Sequence, residues 1–229
     1  MGAVFDHKAW HNGIVAGTYG ALSVGATTQL NVNGVAKDFI VVHQGNPGSS
    51  LYDSSCDGTW LLMEDIYEID SWNDDYNIYA ASNVKFDCGA FKSKLDSAVQ
   101  TAIKSVKIPY VDGNGSSGSV ASGANGLSAE VFLLSGYEVG FTTSNNQSFP
   151  VDGAKLDYFE SGSGATVLAK RIAKFNGSNS AWWLRSPYKG NSTNAWQVQS
   201  SGQYGSRRVT TTGGVRPCFI MPSNQNIFS

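Results

Sequence analysis

The sequence predicts an α+β domain in which mixed, mostly antiparallel sheets are joined by long loops and carry one or two main helices. Three observations point there. Hydrophobic residues make up 41% of 229, enough for a sizeable core at this length. Glycine (26) far exceeds proline (6), which suits many tight turns between short elements. The elements come as a hairpin, then a helix, then a run of strands, not in the alternation that builds a parallel sheet. No apolar run nears the roughly 20 residues of a membrane span. Charged residues, at 15%, are too few for disorder of the highly charged kind.

The elements follow in order. TTQLNVNG and then KDFIVVH read as a hairpin turning at Asn33-Gly34, with Leu30 and Val32 alternating with polar neighbours. Residues 44–58 are a loop dense in turn formers. Residues 59–67 (TWLLMEDIY) read as a buried strand, and 72–77 as a polar loop. The spacing of Phe91, Leu95, Val99 and Ile103 predicts a helix over 88–105 with Asp87 as its cap and Pro109 beyond its end. The Gly/Ser/Asn-rich stretch 112–126 reads as a flexible loop inside a single domain, 1–229. EVFLL (130–134) resumes a core strand. Short helices are expected near 135–139 and 154–159, and 165–175 suits either helix or strand. From Ala181 the pattern is short strands and turns: AWWLR, AWQVQ, RRVTT and GVRPCFIM.

Charge is divided along the chain. All 18 acidic residues lie at or before Glu160, where only eight lysines accompany them. Residues 161–229 carry no acid and eight cations: Lys170, Arg171, Lys174, Arg185, Lys189, Arg207, Arg208 and Arg216. The split fits either a basic surface for an anionic partner or pairing between the two halves. Arg185 and Arg216 stand among core-type residues, so both are expected buried and paired with an acid; Glu64, Asp65, Glu130 and Glu138 are the candidates.

Motif chemistry is sparse. There is no phosphate loop, nucleophile elbow or zinc spacing, so no cofactor and no metal are expected. His7 and His11 have the spacing of a helical metal pair but read as part of a polar arm; His43 reads as a strand-end hydrogen bonder. Asn73-Asp74-Asp75 resembles a lectin calcium motif, and 112–116 half of an EF-hand; both read as turns. Cys56, Cys88 and Cys218 read as free thiols, with a Cys56–Cys88 bridge as the alternative. The N-terminal MGAVFDHKAWHNG shows no secretory signal, and the location stays open.

Three blocks, GTWLLMEDIY (58–67), EVFLLS (130–135) and WWLRSP (182–187), with GVRP (214–217) closing the chain, resemble an uncharacterised family of bacterial and phage domains. The likeness runs from about Leu22 to Met221. That family resembles the C-type lectin-like fold of formylglycine-generating enzymes and of the variable proteins of diversity-generating retroelements. The resemblance implies that Gly214-Val215-Arg216 closes the core sheet. It departs from the enzyme branch, which uses paired cysteines, because Cys218 stands alone in the last 140 residues.

The variable-protein branch implies a binding function without catalysis. Residues 188–208 (YKGNSTNAWQVQSSGQYGSRR) would be the diversified segment, and 15 of its 21 positions hold residues reachable by adenine randomisation. Its mixture of Tyr and Trp with Ser, Gly and Asn also resembles a paratope. The candidate contacts are Tyr188, Lys189, Asn191, Ser192, Asn194, Trp196, Gln197, Gln199, Gln203, Tyr204 and Arg207. Tyr188, Trp196 and Tyr204 are expected on one exposed face with Asn191, Asn194 and Arg207. The partner would be a protein or glycan, on a host cell surface if the protein is phage-encoded and virion-associated. Two alternatives stay open: a carbohydrate-active enzyme using a carboxylate pair from residues 1–160, and a nucleic-acid binder using the basic C-terminal third.

Overall fold

Asn33 and Gly34 both adopt positive φ (52° and 74°), as a two-residue type I′ turn demands. They close the hairpin between β1 (Thr27–Val32) and β2 (Val35–Gln44), paired from Val32↔Val35 to Thr27↔Ile40. In the computed structural model, residues 18–226 are described; His7 and His11 lie outside the described residues. β3 (Thr59–Met63) is buried along its whole length because it is flanked on both sides, by β2 and by β16 (Cys218–Met221). β9 (Val131–Phe132) completes an antiparallel sheet ordered β1-β2-β3-β16-β9.

The second five-stranded sheet is ordered β14 (Tyr204–Arg208), β13 (Asn194–Val198), β12 (Trp182–Pro187), β15 (Thr212–Val215) and β4 (Glu68–Ser71). Its pairs are antiparallel except β12 with β15. Only Arg216 and Pro217 separate β15 from β16, so the GVRP block carries the chain from one sheet to the other. Trp60, Trp72, Trp182 and Trp183 are fully buried, and one apolar cluster runs from Tyr19 to Met221. The chain is therefore α+β and mostly antiparallel.

The expected single helix is two. α1 (Asn83–Phe91) begins earlier because Ser82, not Asp87, caps it: its Oγ accepts from the Lys85 N–H at 3.2 Å. After a short 3-10 turn the backbone extends at Leu95 and helix resumes as α2 (Ser97–Ala102). The first hairpin forces the break. Leu95 bridges Val32, the Asn33 N–H donates to the Lys94 carbonyl at 2.7 Å, and Asn31 Nδ2 donates to Asp96. The predicted face survives: Phe91, Leu95 and Ile103 are buried and Val99 packs against them.

The stretch expected to be a flexible loop is a hairpin tip and a turn held between paired strands. β6 (Tyr110–Asp112) and β7 (Ser119–Ala121) form a hairpin, while β5 (Val106–Ile108) pairs with β8 (Leu127–Ala129). The Asn114 side chain accepts from the N–H groups of Ser116 and Ser117, so 112–116 is a hairpin tip. Residues 135–139 and 154–159 are turns rather than helices. Residues 165–175 are both things in turn: α3 (Ala165–Ala169), then β10 (Ala173–Phe175), which pairs with β11 (Ser178–Ser180). All three cysteines are buried and free.

Candidate functional site

Residues 188–208 leave β12, turn at 190–193, run up β13, turn again at 199–203 and descend β14. The strand register decides which side chains share a face. Trp196 stands opposite Ser206, Val198 opposite Tyr204 and Asn194 opposite Arg208, so Trp196, Tyr204 and Asn194 lie on one face. Arg207, opposite Ala195, is on the other. Its spacing of three from Tyr204 makes this unavoidable in a strand, where only even spacings share a face.

Trp196 is not exposed. It is 2% accessible and stacked between Phe149 (3.9 Å between ring centres) and Tyr188 (4.9 Å), with Tyr204 edge-on at 6.0 Å. Its indole N–H donates to the Ser148 carbonyl at 3.1 Å. Gln197 is buried too, facing Trp183 across the strand pair. Neither can meet a ligand without unfolding the sheet. Of the other expected contacts, Lys189, Gln199 and Arg207 are exposed, and Tyr188, Asn191, Ser192, Asn194, Gln203 and Tyr204 are half-buried.

Two further segments hold this one in place. The turn 142–150 is tied on by the Ser148 carbonyl, which also accepts the Lys189 N–H at 2.9 Å, and by the Asn145 carbonyl, which accepts from the Tyr204 hydroxyl at 3.1 Å. The tip of the β6–β7 hairpin is tied on through Asn77. This fully buried side chain donates to the Asn191 and Asn194 carbonyls (2.8 and 2.6 Å) and accepts the Gly115 N–H at 2.8 Å. Gly115 must be glycine, since a Cβ there would sit 2.1 Å from the Tyr188 carbonyl oxygen. Neither the Asn77 clamp nor the 142–150 turn was legible in sequence, because each joins 188–208 through backbone groups far apart along the chain.

Where the three segments meet lies a cavity of about 360 Å³. Val111, Phe149, Pro150 and Pro187 form its buried floor, and Ser119, Val151 and Lys189 its exposed mouth. Lys189 is the one charged residue of the lining.

Beneath the site sits a buried polar network. Arg185, 1% exposed, forms a two-pronged pair with Glu138, with Nη1 2.5 Å from Oε2 and Nη2 2.6 Å from Oε1. Its remaining donors reach the carbonyls of Pro109, Leu133 and Asp152, each at 2.9 Å. Glu138 also accepts from the Tyr52 hydroxyl and the Ser135 N–H. Burial alone would lower the Arg185 pKa, but the Glu138 charge and hydrogen bonds reverse the sign and raise it. Ser186 donates to the buried Asp152 carboxylate at 2.8 Å. The WWLRSP block is thus structural: it also buries two indoles whose N–H groups bond the Arg171 and Asp70 carbonyls.

Arg216 departs from expectation. It is buried, as predicted, but no carboxylate pairs with it. Nε and Nη2 donate to the Met63 and Glu64 carbonyls at 2.9 Å, and the guanidinium lies 4.8 Å over Trp182. Glu64 and Asp65 are exposed, and Asp65 accepts the Lys174 N–H at 3.3 Å instead. Burial without a direct counter-ion lowers the Arg216 pKa to about 10. Arg171 is held in the same manner, by the Val139, Glu160 and Gly162 carbonyls and the Phe141 ring. With Lys170 paired to Glu160, four of the eight C-terminal cations are committed within the fold. Lys174, Lys189, Arg207 and Arg208 remain exposed.

Burial pushes the Asp152 carboxyl up to about 7, against the pull of Arg185 and Ser186. An unfolded Asp titrates near 3.9, so between those values the folded state holds a proton that the unfolded state has released. This group therefore favours folding most at low pH and loses that contribution as pH rises through 7, by at most about 1.4 kcal/mol per pH unit. Asp87, pushed to about 6 by burial and by Glu68 and Asp70, acts with the same sign. The urea midpoint of the wild type should fall as pH rises from about 4 to 7, and Asp152→Asn should flatten the slope. Equal slopes in the two proteins would show that Asp152 is ionised throughout.

The remaining sequence signals resolve as local structure. Asn73 and Asp74 bond the Tyr76 carbonyl and Asn83. His43 Nδ1 lies 2.9 Å from Asp157, out of hydrogen-bond alignment. Glu138 and Asp152, the acids gathered around Arg185, have no exposure to solvent. Among the described residues, no group of three or more His, Cys, Asp and Glu is placed to hold a metal, and no helix is long and apolar enough to cross a membrane.

Residues 57–223 match the family model described as a domain of unknown function (DUF6273). The match runs from just before β3 to just past β16 and leaves the first hairpin outside. No curated protein and no solved structure matches the chain.

Proposed function

The chain belongs to the DUF6273 family, and we propose that it is a non-catalytic binding module of C-type lectin-like type whose recognition surface is built on residues 188–208. One observation carries this reading: a rigid aromatic stack, Phe149–Trp196–Tyr188, fixes one face of the β13–β14 pair, whose flanking turns and opposite face carry exposed polar side chains. A surface held in one conformation loses little entropy on binding. The exposed Lys189, Gln199 and Arg207, with the half-buried Gln203 and Tyr204, offer donors, acceptors and charge to a protein or glycan. Retroelement diversification is compatible with this arrangement at the exposed positions, 189, 199–201, 207 and 208, where side chains vary at little cost. Positions 195–198 lie inside the core and would have to stay fixed.

The test is a printed glycan array together with a panel of cell-surface proteins, probed with the wild type and with the triple variant Gln199→Ala, Gln203→Ala, Arg207→Ala. The wild type should give saturable binding to at least one member, and the triple variant should lose it while melting within a few degrees of the parent. Binding that survives the triple substitution would place recognition elsewhere on the molecule.

A further inference from the structure

We infer that the cavity between Phe149 and Lys189 is a pocket for a small organic anion, an apolar ring or short chain bearing one carboxylate or sulfonate group. The inference rests on the reading of 188–208 as a recognition surface and names a ligand class for its base. Size sets the first limit: about 360 Å³ is at the lower end of the roughly 300–1,000 Å³ of small-molecule pockets. It admits a compact molecule and excludes a peptide strand or an oligosaccharide.

The lining sets the second. Val111, Phe149, Pro150 and Pro187 give the floor no charge and no side-chain donor, so the buried part of the ligand must be apolar. Lys189 sits at the mouth and forms no ion pair among the described residues. No acidic residue lines the cavity. The charge that complements this wall is a single negative one, at the ligand's outer end. The walls are also fixed before any ligand arrives. The Lys189 N–H is held by Ser148, the Gly190 N–H by the Gly115 carbonyl, and the Gly115 N–H by Asn77. The hairpin tip comes this close only because residue 115 has no side chain.

Two dyes of the same body separate the terms. 1-Anilinonaphthalene-8-sulfonate carries the anion; N-phenyl-1-naphthylamine lacks it. By fluorescence titration the wild type should bind the sulfonate at one saturable site, roughly three- to tenfold more tightly than the neutral dye, the range of one partly exposed charge contact. Lys189→Ala should erase that difference and leave the neutral dye unchanged, and Lys189→Arg should restore it. Ser119→Trp, which closes the mouth, should abolish binding of both. Each variant's melting temperature, close to the parent's, confirms that the dyes report a folded site. Absence of saturable binding, equal affinity of the two dyes in the wild type, or sulfonate binding that survives Lys189→Ala or Ser119→Trp would overturn the inference. Gln199, Gln203 and Arg207 do not line the cavity, so a failed dye titration leaves the array result standing, and a failed array leaves the dye result standing.

Discussion

Replacing Arg185 by Met should destabilise the domain by roughly 3–5 kcal/mol in urea denaturation, the cost of stranding one member of a buried ion pair. The reason lies in what Arg185 leaves behind. Glu138 would keep the Tyr52 hydroxyl and the Ser135 N–H but lose both prongs of its counter-ion at a position with no solvent exposure. The carbonyls of Pro109, Leu133 and Asp152 would lose their donors in the same step. Glu138→Gln alone should also destabilise, since it leaves the guanidinium uncompensated. The double variant Arg185→Met, Glu138→Gln should be less unstable than the two single costs added together, because it removes both charges at once. Strict additivity, or a single-variant loss under about 1 kcal/mol, the range of an exposed pair, would show that the pair does not act as a coupled buried unit.

That Arg185 is buried against a distant acid was legible in sequence; which of the four candidate acids it takes was not. Arg185 sits between Leu184 and Pro187 with no acid in the last 69 residues, so its partner had to come from far along the chain. The same argument misled at Arg216, because its acceptors are backbone carbonyls at the end of β3 and those leave no mark in sequence. The helical face of Phe91, Leu95 and Ile103 was legible from periodicity. The break at Leu95 was not, since it is imposed by bonds from the first hairpin, and tertiary contacts override local preference. Glycine-rich composition suggested mobility over 112–126, yet Gly115 is there to let two backbones touch, one of the two things glycine does. Within 188–208 the first strand was legible, but the second was not: RRVTT (207–211) reads as a strand, whereas the strand is Tyr204–Arg208 and 209–211 turn; the faces were not legible either. Trp196 has polar neighbours on its own strand, and its burial comes from Phe149 and Ser148, the latter 48 positions earlier.

That burial sets the second large effect. Trp196→Ala should destabilise by roughly 3–5 kcal/mol, the usual range for removing a large aromatic from a core. The indole fills the space between Phe149 and Tyr188 and touches the edge of Tyr204, so its loss opens a gap that these rings cannot close without moving the backbone that carries them. It also leaves the Ser148 carbonyl with one donor, the Lys189 N–H, in place of two. Trp196→Phe keeps the stacked face and removes only the indole N–H and one ring, and should cost much less than the alanine variant. Arg207→Ala and Gln199→Ala, on the exposed rim, should each stay within about 0.5 kcal/mol. The contrast is the informative measurement. If Trp196→Ala were as mild as the rim substitutions, the stack would not be what fixes residues 188–208, and the preorganised recognition surface would lose its physical basis. If it is severe, losses of ligand binding in Trp196 variants must be read as losses of scaffold, and only the rim variants and Lys189 report on contact with a ligand.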